Sequence, residues 1–94
     1  MQRCVWKFPL GNIGEFSVLM PDGAESLSVA FQDSSLVLWA MVDPDRPKSV
    51  RRFRSVMTGE LFELPAHAKF VGTAQQATGG VHLPFFVVHV FELG

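Results

Sequence analysis

The densest group of chemically active side chains is a run of basic residues near the middle of the sequence. Five of the eight lysine and arginine residues fall within nine positions, namely Arg46, Lys48, Arg51, Arg52 and Arg54. Guanidinium groups bind phosphates and carboxylates through paired hydrogen bonds, and the interleaved Phe53 could stack against a base. The segment therefore predicts a partner-binding site made of these five residues and Phe53. The alternative is a solvated edge strand whose positive charge prevents aggregation.

A second candidate is the polar loop that contains Thr78, Gly79 and Gly80. Glycines free the backbone to turn its amides toward an anion, so this loop could hold a ligand. No lysine follows in the spacing of a phosphate-binding P-loop, and an ordinary hairpin loop is the competing interpretation.

Metal binding and catalysis find little support in the pattern. Asp43 and Asp45 flank a proline and could hold a hard cation, but the basic residues beside them favour a structural turn. His67, His82 and His89 match no zinc-binding spacing, and we expect His89, in an apolar strand, to be a core histidine. No Gly-x-Ser-x-Gly nucleophile motif and no paired catalytic acids occur. We therefore expect no enzymatic activity, no metal and no cofactor.

These side chains must be positioned by strands, because apolar residues alternate with polar ones and no helical periodicity of useful length occurs. Seven strands are predicted over residues 4–10, 15–20, 25–32, 36–42, 50–57, 69–75 and 85–93. The fourth and seventh are apolar on both faces and should be central. Residues 60–66 should be irregular, with a short turn of helix before Pro65. The expected fold is mainly β, a single domain over residues 1–94 forming an antiparallel sandwich or a barrel-like sheet.

The composition agrees with one small globular domain. The 94 residues are 48% hydrophobic, which excludes intrinsic disorder, and the net charge of -1 argues against a protein that coats nucleic acid with its whole surface. No apolar run approaches the roughly 20 residues of a membrane helix. Cys4 is the single cysteine and is expected to be buried, and its isolation fits a reducing cytoplasm. A mean hydropathy of +0.23 suggests apolar surface, so we predict a homo-oligomer.

Several blocks in order and spacing resemble a known family. The most specific are Leu38–Asp45, which reads Leu-Trp-Ala-Met-Val-Asp-Pro-Asp, and the ending Val88–Leu93, which reads Val-His-Val-Phe-Glu-Leu. The chain resembles a small domain family of unknown function found in tailed-phage and prophage genomes. It departs from that pattern at Glu60–Ala68 and at Val81–Pro84. The resemblance implies a phage origin and a short accessory gene, and the family has no enzyme assignment that could be transferred to this chain.

Three functions follow as hypotheses. The first is a non-enzymatic accessory protein that acts in the host cytoplasm, where it binds and inhibits a host protein or protein complex, for example the effector of a CRISPR defence system. The second is a protein that sequesters a nucleotide signal with the arginines and the Gly79-Gly80 loop. The third is a virion or assembly protein whose apolar surface drives oligomerisation.

Overall fold

The computed structural model of the protein describes residues 2–11, 13–76 and 86–94. This part of the chain forms seven strands and no helix. The strands are β1 Cys4–Gly11, β2 Gly14–Pro21, β3 Glu25–Gln32, β4 Ser35–Val42, β5 Lys48–Met57, β6 Lys69–Gln76 and β7 Phe86–Glu92. The predicted ends agree with these within two residues, because alternation and turn residues mark a strand locally.

The strands form two separate antiparallel sheets. The three-stranded sheet has the order β1-β4-β3, and the four-stranded sheet has the order β2-β5-β7-β6. The sheets pack face to face, and β6 approaches β3 closely enough that a Cβ on Gly72 would lie 3.0 Å from Val29 Cγ2. The predicted sandwich is therefore confirmed in preference to a barrel. The predictions that β4 and β7 are interior strands are also confirmed.

The core lies between the sheets and is supplied by alternate residues of each strand. The side chains of β4 that face inward are the buried Leu36, Leu38, Ala40 and Val42. The four-stranded sheet contributes Met20, Phe53, Val88 and Val90, all of which are completely buried. Burial of these apolar side chains against each other is what holds the two sheets together.

Two connections show how local chemistry shapes the ends of the sandwich. Asp33 and Ser34 have φ values of 51° and 68°, which gives the two-residue hairpin between β3 and β4 its primed turn geometry. In the connection between β4 and β5, Asp43 Oδ1 accepts a hydrogen bond from the Asp45 amide at 3.1 Å. The predicted structural turn at these aspartates is thus confirmed.

Several local predictions are wrong. Cys4 is exposed, because it is the first residue of an edge strand. Alternation along the third strand predicts that Leu27 shares a face with Val29 and Phe31, but a bulge between Ser26 and Ser28 breaks the alternation and leaves Leu27 half exposed. Residues 60–66 contain no turn of helix. The basic strand β5 lies between β2 and β7, so it is not a solvated edge.

Candidate protein interface

The basic strand β5 divides its side chains between the two faces of the four-stranded sheet. Phe53 points into the core and is completely buried, whereas Arg52 and Arg54 point to the outer face. The prediction that Phe53 joins a binding surface is therefore wrong, because its ring cannot reach a partner without unfolding. Arg52 and Arg54 share this face because they are two positions apart in the strand.

Arg51 faces inward at the end of the sandwich, where its hydrogen bonds stabilise the fold. Its Nε and Nη2 donate hydrogen bonds to the two carboxylate oxygens of Glu92 at 2.5 and 2.9 Å. Nη1 donates to the carbonyl oxygen of Ala24 in the connection to β3, at 2.8 Å. The hydrogen bonds to Glu92 raise the pKa of Arg51, against the opposing effect of burial. Arg51 is thus a clamp that ties β5 to β7 and to the connection that leads to β3, which removes it from the predicted partner-binding set.

A pocket of about 250 Å³ opens beside this clamp. Its charged lining is balanced, with Arg51 and Lys69 facing the carboxylates Glu25 and Glu92. An anionic ligand in this pocket would meet both carboxylates, and the Arg51 charge is already matched by Glu92. The pocket therefore gives no specific support to a nucleotide phosphate.

Arg46 and Lys48 lie near the start of β5, away from the other outward arginines. Lys48 Nζ is 5.8 Å from the centre of the Trp6 ring, and Arg46 packs against Gly23 in the neighbouring turn. At roughly 3.3 Å per residue, Lys48 and Arg52 are separated by about 13 Å along the strand. The structure thus distributes the five basic residues over three places instead of one patch.

The two outward arginines lie near carboxylates from neighbouring segments. Glu15 on β2 lies 3.8 Å from both Arg52 and Arg54, and Glu60 lies 3.3 Å from Arg54. Glu60 also accepts a hydrogen bond from the Met57 amide at 3.0 Å, which fixes its position. The side chain of Arg52 is 56% exposed and that of Arg54 is 28% exposed. The Arg54 guanidinium is oriented by its hydrogen bond to Glu60, whereas Arg52 is accessible from solvent.

An aromatic cluster continues this row across the sheet. Strand pairing places Arg54 opposite Phe91 on β7, and Phe91 opposite Phe70 on β6. The ring centres of Phe70 and Phe62 each lie 5.4 Å from that of Phe91, and the Arg54 guanidinium is 5.7 Å from the Phe62 ring. Phe70 is nevertheless 60% exposed. We call Arg52, Arg54, Phe62, Phe70 and Phe91 the arginine–phenylalanine face.

Sequence reasoning missed the aromatic half of this face. Phe62 belongs to the connection between β5 and β6, and Phe70 and Phe91 belong to strands that follow much later than the basic segment. Only the order β5-β7-β6 brings them beside Arg54. The outward position of Phe91 could be read from alternation, but the identity of its neighbours could not.

His89 lies on the same outer face, one row from Phe91. Its two ring nitrogens contact the hydroxyl groups of Thr58 and Thr73 at 2.8 and 2.9 Å. The expectation of a core histidine is wrong, because the inner face of β7 is the one that carries Val88 and Val90. The two threonines satisfy the imidazole at the surface.

The remaining features considered in the sequence are the ligand loop, a metal site and a membrane helix. The candidate ligand loop, Thr78, Gly79 and Gly80, lies outside the described residues. Within residues 2–11, 13–76 and 86–94, no three histidine, cysteine, aspartate or glutamate side chains are grouped to hold a metal ion. The same part of the chain has no helix of the length and apolarity that crossing a membrane requires.

Comparison with known proteins assigns the chain to one family. A domain family described as a domain of unknown function (DUF7352) matches residues 1–94, so the protein belongs to that family. Comparisons with curated proteins and with solved structures give no match.

Proposed function

We propose that this protein is a non-enzymatic binding domain that docks on another protein through the arginine–phenylalanine face. The observation that carries the proposal is the row Arg54–Phe91–Phe70, with Phe70 exposed and Arg54 oriented by Glu60. Interface hot spots are enriched in arginine and aromatic residues, and an oriented side chain loses less entropy on binding. Leu61, which is almost completely exposed, lies next to Phe62 in the sequence and adds apolar area.

The charge arrangement favours a protein over a polyanion. Glu15 and Glu60 neutralise much of the positive potential of Arg52 and Arg54. A nucleic-acid backbone would meet these carboxylates, whereas a protein partner can offer apolar groups to the phenylalanines and an acceptor to Arg52. Partner binding is thus assigned to the outer face and withdrawn from Arg51 and Phe53.

The finer proposal is a phage-type accessory protein that inhibits a host defence factor in the host cytoplasm. It rests on the resemblance of the Leu38–Asp45 and Val88–Leu93 blocks to a phage and prophage family, and on the small size of the chain. A CRISPR effector is the example of such a target that we would test first, by asking whether the protein restores plating of a phage targeted by that system.

The binding proposal is tested by affinity capture of tagged protein from bacterial host lysate, followed by native mass spectrometry. We expect a stoichiometric protein partner with the wild type and its loss with Arg52→Glu combined with Phe70→Ser. The control is Arg3→Glu, because Arg3, which precedes β1, also forms a single exposed ion pair, with Glu25 of the three-stranded sheet. Circular dichroism would establish that both variants are folded.

Each other outcome of the capture argues against the proposal. A partner that survives the face variant excludes the arginine–phenylalanine face as its docking site. A retained small molecule without a protein partner favours the nucleotide-sequestering function instead. A partner lost with Arg3→Glu and kept with the face variant moves the interface to the other sheet.

A further inference from the structure

We infer that two copies of the protein associate edge to edge through β2, which joins their four-stranded sheets into one continuous sheet. The inference concerns a sheet edge that the arginine–phenylalanine face does not require, so it stands independently of the proposed function.

The four edge strands of the sandwich are β1, β3, β2 and β6, and three of them are interrupted. The register shifts between Pro9 and Gly11 in β1, between Ser26 and Ser28 in β3, and between Phe70 and Gly72 in β6. Bulges and proline are devices that stop an edge from pairing with another chain. Strand β2 has no bulge, since all eight of its residues pair with β5 without a shift, and its one proline, Pro21, is its last residue.

The backbone of β2 presents usable hydrogen-bonding groups at its open edge. The amides of Gly14 and Asp22 point toward β5, where they donate to Ser55 Oγ and to the Pro47 carbonyl oxygen. Because backbone groups alternate in direction along a strand, the N–H and C=O groups of Glu15, Ser17 and Leu19 point away from β5. Among the described residues, no backbone hydrogen bond outside the strand ladders reaches these three residues.

Exposed apolar side chains flank this edge. Leu19 and Val50 are directly paired across β2 and β5, and they are 57% and 58% exposed on the outer face. A strand added to β2 would lie beside Leu19 and reduce its exposure. The single charged residue of β2 is Glu15, near its far end.

A second copy fits this edge because an antiparallel strand can pair with itself across a two-fold axis. With the axis at Val18, Ser17 lies opposite Leu19 of the second copy, and Glu15 lies opposite Pro21. The N–H groups of Ser17 and Leu19 then each find a carbonyl oxygen of the other copy. The pairing ends at Pro21, which has no N–H and whose carbonyl oxygen already accepts a hydrogen bond from the Ala24 amide. The two Glu15 carboxylates lie at opposite ends, so no like charges are opposed.

The test is sedimentation velocity of the purified chain between about 5 and ~100 µM, a range that populates an ordinary specific interface. We expect the wild type to shift to twice the monomer mass of 10.4 kDa. Ser17→Pro should be monomeric, because it removes an edge-directed N–H that the fold does not use. Ser17→Ala is the matched control, since it keeps the N–H and should still dimerise.

Leu19→Lys is a second variant, which places a charge on the edge and should also give a monomer. Circular dichroism shows which variants are folded, and Leu19→Lys decides if Ser17→Pro does not fold. A wild type that is monomeric at ~100 µM overturns the inference, as does a dimer that persists in folded Leu19→Lys. The wild type could instead be monomeric and capture a host protein that the Ser17→Pro variant does not capture. In that case β2 pairs with a strand of the host protein and not with a second copy. The Arg52→Glu, Phe70→Ser variant should still form the dimer, because the arginine–phenylalanine face is not part of the β2 edge. The test of the dimer is therefore distinguishable from the test of the proposed function.

Discussion

At the scale of single residues, the role of each arginine in the basic segment depends on side chains that are close in space but distant in sequence. Arg51 and Arg52 are adjacent and chemically identical, but alternation sends one inward and the other to the surface. Glu92, the carboxylate that occupies Arg51, is 41 residues away in sequence. Alternation predicted the opposite faces of Phe53 and Arg52, whereas the pairing of Arg51 with Glu92 depends on strand order and could not be read from spacing.

Because Arg51 is a clamp and Arg52 is not, substitution by lysine should destabilise the fold more at position 51 than at position 52. Arg51→Lys should lower the free energy of unfolding by about 1–3 kcal/mol, because lysine cannot bind both Glu92 oxygens and the Ala24 carbonyl together. Arg52→Lys, at an exposed ion pair, should change it by less than about 0.5 kcal/mol. Urea unfolding of the two variants measures both values, and equal effects would exclude the clamp.

The pH dependence of the clamp has a definite sign. The pKa of Arg51 is raised on folding, first by its hydrogen bonds to Glu92. The stabilisation is therefore fully present below the pKa of an unfolded arginine and is lost only as the pH rises through the higher folded value. We expect the stability difference between wild type and Arg51→Lys to stay constant from neutral pH to about pH 9, since both side chains remain charged there.

At the scale of elements, the strands were predictable and their irregularities were not. Turn residues such as Pro21-Asp22-Gly23 end a strand by local chemistry, which is why the seven spans agree with the structure. The bulges in β3 and β6 have no comparable local signal, and each reverses the face on which the following residues lie. Leu27 was misplaced for this reason.

The bulge in β6 also places Gly72 against β3, which leads to a prediction about packing between the sheets. Gly72→Ala should cost about 1–2 kcal/mol of unfolding free energy, because its Cβ would lie 3.0 Å from Val29 Cγ2. Adding Val29→Ala removes that atom, so the double variant should lose less than the sum of the two single variants. Strict additivity in thermal or urea unfolding would show that the sheets already have room at this point.

At the scale of the whole molecule, the composition and strand pattern predicted a two-sheet β domain, but they could not assign strands to sheets. The arginine–phenylalanine face is a product of that assignment, since β5, β6 and β7 meet only through the order of the four-stranded sheet. Neither sheet can bury its inner residues alone. The core is shared, with β4 contributing from one side and Phe53, Val88 and Val90 from the other.

A shared core predicts that both sheets unfold together. Trp6 and Trp39 lie on the three-stranded sheet, and the chain has no tyrosine, so tryptophan fluorescence reports on that sheet. Far-ultraviolet circular dichroism reports on the strands of both. We expect the two signals to give the same midpoint in urea. Separate midpoints would mean that one sheet persists without the other.

The position of β7 has a consequence for how the chain reaches its native state. This strand is the seventh in sequence, yet it is inserted between β5 and β6, which touch each other only through it. During synthesis β5, which ends at Met57, is made well before β7, which begins at Phe86, so β5 waits with its partner edge open. Closure of the larger sheet is therefore a late event that depends on distant segments, and folding should be slow for a domain of this size. Until then the nascent chain exposes a strand edge that chaperones or other nascent chains can bind.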